Sequence, residues 1–157
     1  MQPRGSPLSQ PLLKVDLRSD PSLLAVIRSM MSQLCEGLGF SAADCRCVTR
    51  AVDEALSNVM RHAYKGDLDR TIQVCVRQLE TSNRPALEIV VEDSGPELDP
   101  TKLPARPLEE VRPGGLGLHF IRQSMDEVEY QRTGSINRLR LSKYLVPKNA
   151  PQDCEGV

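Results

Sequence analysis

Within "DEALSNVMRHAY", residues 53–64, a carboxylate, an amide and an imidazole recur at four-residue intervals: Glu54, Asn58 and His62. On an α-helix such positions drift by only about 40° per step, so the three share one narrow ridge. The segment and the two residues before it supply Ala51, Val52, Ala55, Leu56, Val59 and Ala63, the apolar stripe of a packed helix. A plain solvated face accounts for part of this, with Arg50 one turn before Glu54 as an ion-pair partner and His62 near the helix end complementing its dipole. Asn58 fits that account poorly, because Asn in mid-helix is a weak helix former.

Two other stretches carry chemistry. In "VVEDSGPELDP", residues 90–100, an acidic residue ends a β-rich apolar run and Gly95 follows two positions later. Asp, Ser, Gly and Pro are all turn formers, so a strand-ending turn is the simplest reading. The functional reading holds Asp93 rigidly at a strand end, where it accepts a hydrogen bond from a ligand amine while Gly95 lets backbone approach that ligand. In "GGLGLHFI", residues 114–121, Gly114, Gly115 and Gly117 lead into a helix. Exposed N–H groups at the positive end of a helix dipole favour an anion such as phosphate. No Gly-Lys-Ser/Thr follows, and the dinucleotide fingerprint is incomplete, so this is neither a P-loop nor a Rossmann turn. Mg²⁺ takes few protein ligands and keeps phosphate oxygens and waters, so one Asn is enough on the protein side.

The elements that must position these residues follow from pattern. Residues 12–17, "LLKVDL", read as a strand. Pro21 opens a helix carrying Leu23, Leu24, Ile27, Met30, Met31 and Leu34 at helical spacing, and Gly37 and Gly39 end it. Ser41 caps the next helix, with Asp44 near its start, and "KGD" stops it after Tyr64. Residues 71–80 and 86–93 are strands joined by "TSNRP" at hairpin length. From Gly95 to Pro113 the chain holds five prolines and little apolar content, a long loop of the kind that forms lids. A helix follows from the glycines, then a closing pair of strands over 127–132 and 137–146. The order β-α-α-β-β-lid-α-β-β predicts an α+β two-layer sandwich, a mostly antiparallel sheet with three helices on one face. One domain over 12–146 is expected, with the lid at about 97–113 and flexible segments at 1–11 and 147–157.

Composition excludes several classes. The chain has 157 residues, a formal charge of −1 and only 3% aromatic residues. It lacks the basic stripe and stacking rings of a nucleic-acid surface. No apolar run approaches the roughly 20 residues of a membrane span, and "MQPRGSPLSQP" does not resemble a signal peptide. Five cysteines at irregular spacing suggest reduced, mostly buried thiols rather than a disulfide framework. A cytoplasmic protein is expected.

Taken together, the three stretches resemble the N, G1 and G2 boxes of the GHKL (Bergerat-fold) ATPases, and more narrowly those of bacterial anti-sigma factor serine kinases from partner-switching systems. "VDEALSNVMRHAYKG" is similar to the N box, "VVEDSGPELDP" to the G1 box, and "GGLGLHFIRQSMDEVEY" to the G2 box and its helix. The resemblance spans residues 12–146. It implies a site for ATP or ADP with Mg²⁺. Asn58 would bind the metal, and Glu54 would be the general base for an attacking hydroxyl. Asp93 would accept from the adenine amine above Gly95. Gly114, Gly115, Leu116, Gly117 and Leu118 would meet the phosphates, with Arg61, His62 and Arg112 nearby and Asn137 at the adenine edge. It also implies phosphorylation of a serine on a STAS-type anti-anti-sigma partner, inhibition of a sigma factor, and a homodimer. Two departures stand out: Glu97 occupies the place of a second G1 glycine, and Pro113 separates Arg112 from the G2 glycines. The alternative is a nucleotide-binding switch that captures a partner without catalysis; a pure binder has no need of Glu54.

Overall fold

Asp20 starts the helical layer by accepting the Ser22 N–H at 2.9 Å, a bond that holds its carboxyl below the usual range. With Pro21 it sets a short 3₁₀ turn, Pro21–Leu23, that runs into α1, Leu24–Gly37. In the computed structural model, which describes residues 10–81, 84–97 and 116–146, α1 buries Ile27, Met31 and Cys35. Four-residue spacing puts these three on one face. Ser41 caps α2, Ala42–Asn58, accepting the Asp44 N–H at 3.1 Å. That helix buries Cys45, Val48, Ala51, Val52, Ala55 and Leu56 and packs against both α1 and α3, Leu116–Ser124.

Five strands form one sheet in the order β1-β2-β3-β5-β4, every neighbouring pair antiparallel. They are β1 (Leu13–Arg18), β2 (Thr71–Glu80), β3 (Pro85–Asp93), β4 (Glu127–Thr133) and β5 (Ile136–Tyr144). The fold is therefore the expected α+β arrangement, with a sheet that is entirely rather than mostly antiparallel. Period-two alternation decides its two faces. Ile72, Val74, Val76, Leu87, Ile89, Val91 and Leu141 join the helices in a single core. The intervening residues make the opposite face, where Glu88 lies between Arg77 and Arg140 at 3.4 and 3.3 Å and Arg138 pairs with Glu92. A shallow groove of about 530 Å³ along this face is lined by these paired charges together with Lys14 and Val90.

Two details differ from the sequence reading or refine it. α2 does not stay α-helical to Tyr64. After Asn58 the chain makes a π turn, Val59–Ala63, closed by Tyr64 N–H to Val59 O at 2.8 Å. The wider turn brings Tyr64 round to the buried side, in place of the Ala63 that α spacing would bring there. Tyr64 is 4% exposed and donates its hydroxyl to Thr71 O at 2.8 Å. In the β4–β5 hairpin, Gly134 at φ +60 supplies the first central position of a two-residue turn. That turn sets Thr133 opposite Ile136 and Arg132 opposite Asn137. Cys35, Cys45 and Cys75 are buried and Cys47 half-buried, all as free thiols. Burial pushes the Cys35 thiol up to about 12, which keeps it protonated and unreactive.

Candidate nucleotide site

The site has two ends, built from different elements. At one, α2 presents Glu54 and Asn58, both half-buried, to the start of α3. Gly117 sits directly on them: a Cβ there would lie 2.8 Å from Glu54 Oε2 and 3.2 and 3.1 Å from the Asn58 Oδ1 and Nδ2. Only glycine permits this approach with both side chains in place. Arg50 is not the partner of Glu54. Its guanidinium stacks on the Phe120 ring at 4.0 Å, which ties α2 to α3 and leaves Glu54 without an ion pair among the described residues. Leu118 is half-buried and packs on the core, which orients the first turn of α3. Leu116 begins that helix. Arg112, Gly114 and Gly115 lie outside the described residues, as does the expected lid beyond Glu97.

The other end lies at the C-terminus of β3. Asp93 is 6% exposed, and its Oδ1 accepts from Gly95 N–H at 2.8 Å and from Asn137 Nδ2 at 2.9 Å. Among the described residues neither bond falls on Oδ2. Register explains the meeting: Asp93 is opposite Asn137 on β5, which is opposite Arg132 on β4, so the three form one rung across three strands. Gly95 packs on the π turn. A Cβ there would come 2.6 Å from Ala63 Cβ and 3.3 Å from Ala63 Cα. Tyr64 then holds the loop from the same side, accepting Ser94 N–H at 2.9 Å, while Arg70 lies over the Tyr64 ring and donates to Ser94 Oγ at 3.1 Å.

The structure thus joins Glu54, Asn58 and Gly117 in one group and Asp93, Gly95 and Asn137 in another. Arg61 and His62 join neither. They are exposed on the π turn, and Arg61 donates back to Ser57 O at 3.4 Å. His62 lies on the π turn that follows Asn58, beyond the end of α2. Sequence reasoning missed Tyr64, Arg70, Tyr130 and Arg132. For Arg132 a signal existed: counting back from a two-residue Gly134–Ser135 turn pairs it with Asn137. For Tyr64 and Arg70 none did, since both act through a loop distant in the chain.

A charged acceptor beside a glycine on rigid backbone can recognise an exocyclic amine. A carboxylate and an amide under a helix start can serve a proton transfer and a hard cation next to phosphates. A family model for the histidine kinase-like ATPase domain matches residues 17–143. The serine-protein kinase RsbW of Bacillus pumilus is 29% identical over 150 residues, covering 90% of this chain and 91% of that protein. The RsbW of Bacillus licheniformis is 34% identical over 134 residues, covering 80% of each. In fold, the chain is similar to the RsbU and RsbW domains of a Mycobacterium tuberculosis protein, with a TM-score of 0.62 at 15% identity over 86% of this chain and 33% of that one. The chain belongs to the histidine kinase-like ATPase domain family, within its branch of RsbW-type serine-protein kinases.

Proposed function

We propose that the protein is an ATP-dependent serine/threonine-protein kinase and anti-sigma regulator that phosphorylates a STAS-type anti-anti-sigma partner and sequesters a sigma factor. The observation that carries this reading is the contact of Gly117 with Glu54 and Asn58. The first turn of α3, which this reading assigns to phosphate, lies against Glu54 and Asn58, a carboxylate and an amide of the kinds phosphoryl transfer needs. Asp93 accepts the adenine amine, with Gly95 beneath the ring. Backbone N–H groups from Gly114 to Leu118 bind phosphate oxygens, with Arg112 meeting their charge from the lid. Arg61 and His62, exposed on the π turn, are free to turn toward bound phosphate.

The donor set fits Mg²⁺: Asn58 offers a neutral oxygen that makes no hydrogen bond among the described residues, beside a helix start suited to phosphate. Held by Asn58, Mg²⁺ would supply positive charge to the phosphates of the nucleotide. The Glu54 carboxylate accepts the proton of the partner's serine hydroxyl. The serine oxygen forms its bond to the γ-phosphorus as the bond to the β–γ bridging oxygen breaks, and ADP leaves. Such a reaction needs positioning and charge stabilisation more than covalent chemistry.

Incubation with labelled ATP, Mg²⁺ and STAS proteins from the same genome tests the reading. Label on a partner serine supports it. Tight ADP binding with no transfer to any STAS protein would leave a nucleotide-gated switch instead. A homodimer is part of the proposal. On α1 the exposed apolar residues are Ala25 and Val26, the latter at 62%; Leu24, Met30 and Leu34, with Leu23 just before the helix, lean on the core. The apolar surface for a partner is thus smaller than the run of 21–34 suggests. Light scattering giving twice 17.4 kDa supports the dimer, and the monomer mass rejects it.

No helix among the described residues is long and apolar enough to cross a membrane.

A further inference from the structure

Asn137 is 1% exposed, and both ends of its amide are engaged. Its Nδ2 donates to Asp93 Oδ1 at 2.9 Å, Gly95 O at 3.2 Å and Pro96 O at 3.0 Å. Its Oδ1 accepts from Tyr130 Oη at 2.7 Å and from Arg132 Nη1 at 2.6 Å. The same Arg132 nitrogen also donates to Gly95 O at 3.1 Å. These partners admit one amide orientation. Reversing it would set an NH₂ against two donors and an oxygen against a carboxylate and two carbonyls.

We propose that Arg132 and Tyr130, both on β4, are positioning residues for adenine recognition, acting through Asn137 to aim the Asp93 carboxylate at a purine 6-amino group. This rests on the proposed adenine role of Asp93. β4 is an edge strand, and the bonds of both side chains to Asn137 carry their effect along the rung. Arg132 supplies a charge-assisted bond, shorter and stronger than a neutral one, which polarises the amide toward donation at Nδ2. Asn137 and Gly95 N–H then occupy Oδ1. The carboxylate plane is held, and Oδ2 is the oxygen turned to the ligand. Arg132 also grips Gly95 O, so acceptor and ring-supporting loop are fixed by one cation. Without these donors the amide keeps its orientation, set by Asp93 and the two carbonyls, but its buried Oδ1 is left unsatisfied and its Nδ2 is no longer polarised toward Asp93.

The test compares ADP with purine riboside 5′-diphosphate, which lacks the 6-amino group, by calorimetry on wild type, Arg132→Gln, Arg132→Lys and Tyr130→Phe. Wild type should favour ADP by roughly ten-fold or more, the worth of one hydrogen bond to a charged acceptor. Arg132→Gln should lose most of that preference, with ADP weakened several-fold more than the purine analogue, which loses only the support of the Gly95 loop. Tyr130→Phe should lose a smaller part, and Arg132→Lys should restore some of it. If both ligands weaken equally in the variants, or the preference survives in all of them, Arg132 and Tyr130 do not aim Asp93 and the proposal is overturned. If wild type itself does not distinguish the two ligands, the adenine role of Asp93 fails first, and the proposal falls with it. Should Arg132→Gln not fold, Arg132→Lys and Tyr130→Phe decide between the same outcomes.

Discussion

Gly95 and Gly117 are both glycines because something sits where their Cβ would be, yet what sits there differs. Around Gly95 the obstacle is Ala63 Cβ and Cα, part of the packed π turn, with Asp93 Oδ1 close behind. Around Gly117 it is the tips of Glu54 and Asn58. The first neighbourhood is rigid: Asp93, Ser94 and Gly95 are bonded from one side by Tyr64 and Arg70 and from the other by Asn137 and Arg132. The second is held by packing of α2 against α3, and its two polar side chains make no hydrogen bond to other described residues. The end proposed for adenine is thus preorganised by the protein, which limits the entropy lost on binding. The end proposed for phosphate keeps side-chain freedom in Glu54 and Asn58, the groups that would follow a reacting phosphoryl.

Four substitutions probe that contrast. Glu54→Gln should give the largest effect. Losing the base should slow transfer to the partner serine by roughly 10²–10⁴-fold, while ADP affinity stays within a few-fold. A radiolabel assay with unchanged rate would remove Glu54 from the chemistry. Asp93→Asn comes next. It replaces a charged acceptor by an amide and turns a donor toward Asn137 or the ligand, so ADP should bind roughly 10- to 100-fold more weakly. Equal calorimetric affinity in wild type and variant would show that the rigid end does not read the base.

The glycines themselves separate the two ends most directly. Gly95→Ala forces a methyl into Ala63, whose backbone cannot yield cheaply, and should destabilise the fold by about 1–3 kcal/mol, the usual cost of overpacking. Chemical denaturation with a lowered midpoint and an unchanged slope would bear this out. Gly117→Ala meets only flexible tips, so stability should change by no more than about 0.5 kcal/mol. The displaced Glu54 carboxylate should instead slow transfer several-fold at saturating ATP. Equal destabilisation by both substitutions would erase the distinction drawn between the two ends.

Much of this was legible from local pattern. The helix from Ser41, the strand 71–80 and the element order are as expected, because each segment's own periodicity states which face it buries. Glu54 and Asn58 share a ridge for the same reason. The π turn after Asn58 was not legible, because the step from α to π depends on where Tyr64 finds its partners, Thr71 and Ser94, on β2 and in the loop after β3.

By itself, then, the sequence determined the elements, the carboxylate and amide one turn apart, the acid ending a strand and the glycine opening a helix. All of these depend on residues within a few positions of each other. Only the tertiary structure decided that Gly117 closes on Glu54 and Asn58, and that Asp93, Asn137 and Arg132 fall in one rung across β3, β5 and β4. Those meetings depend on strand register and helix docking between segments far apart in the chain. They are selected by the fit of whole buried faces, which no local spacing records.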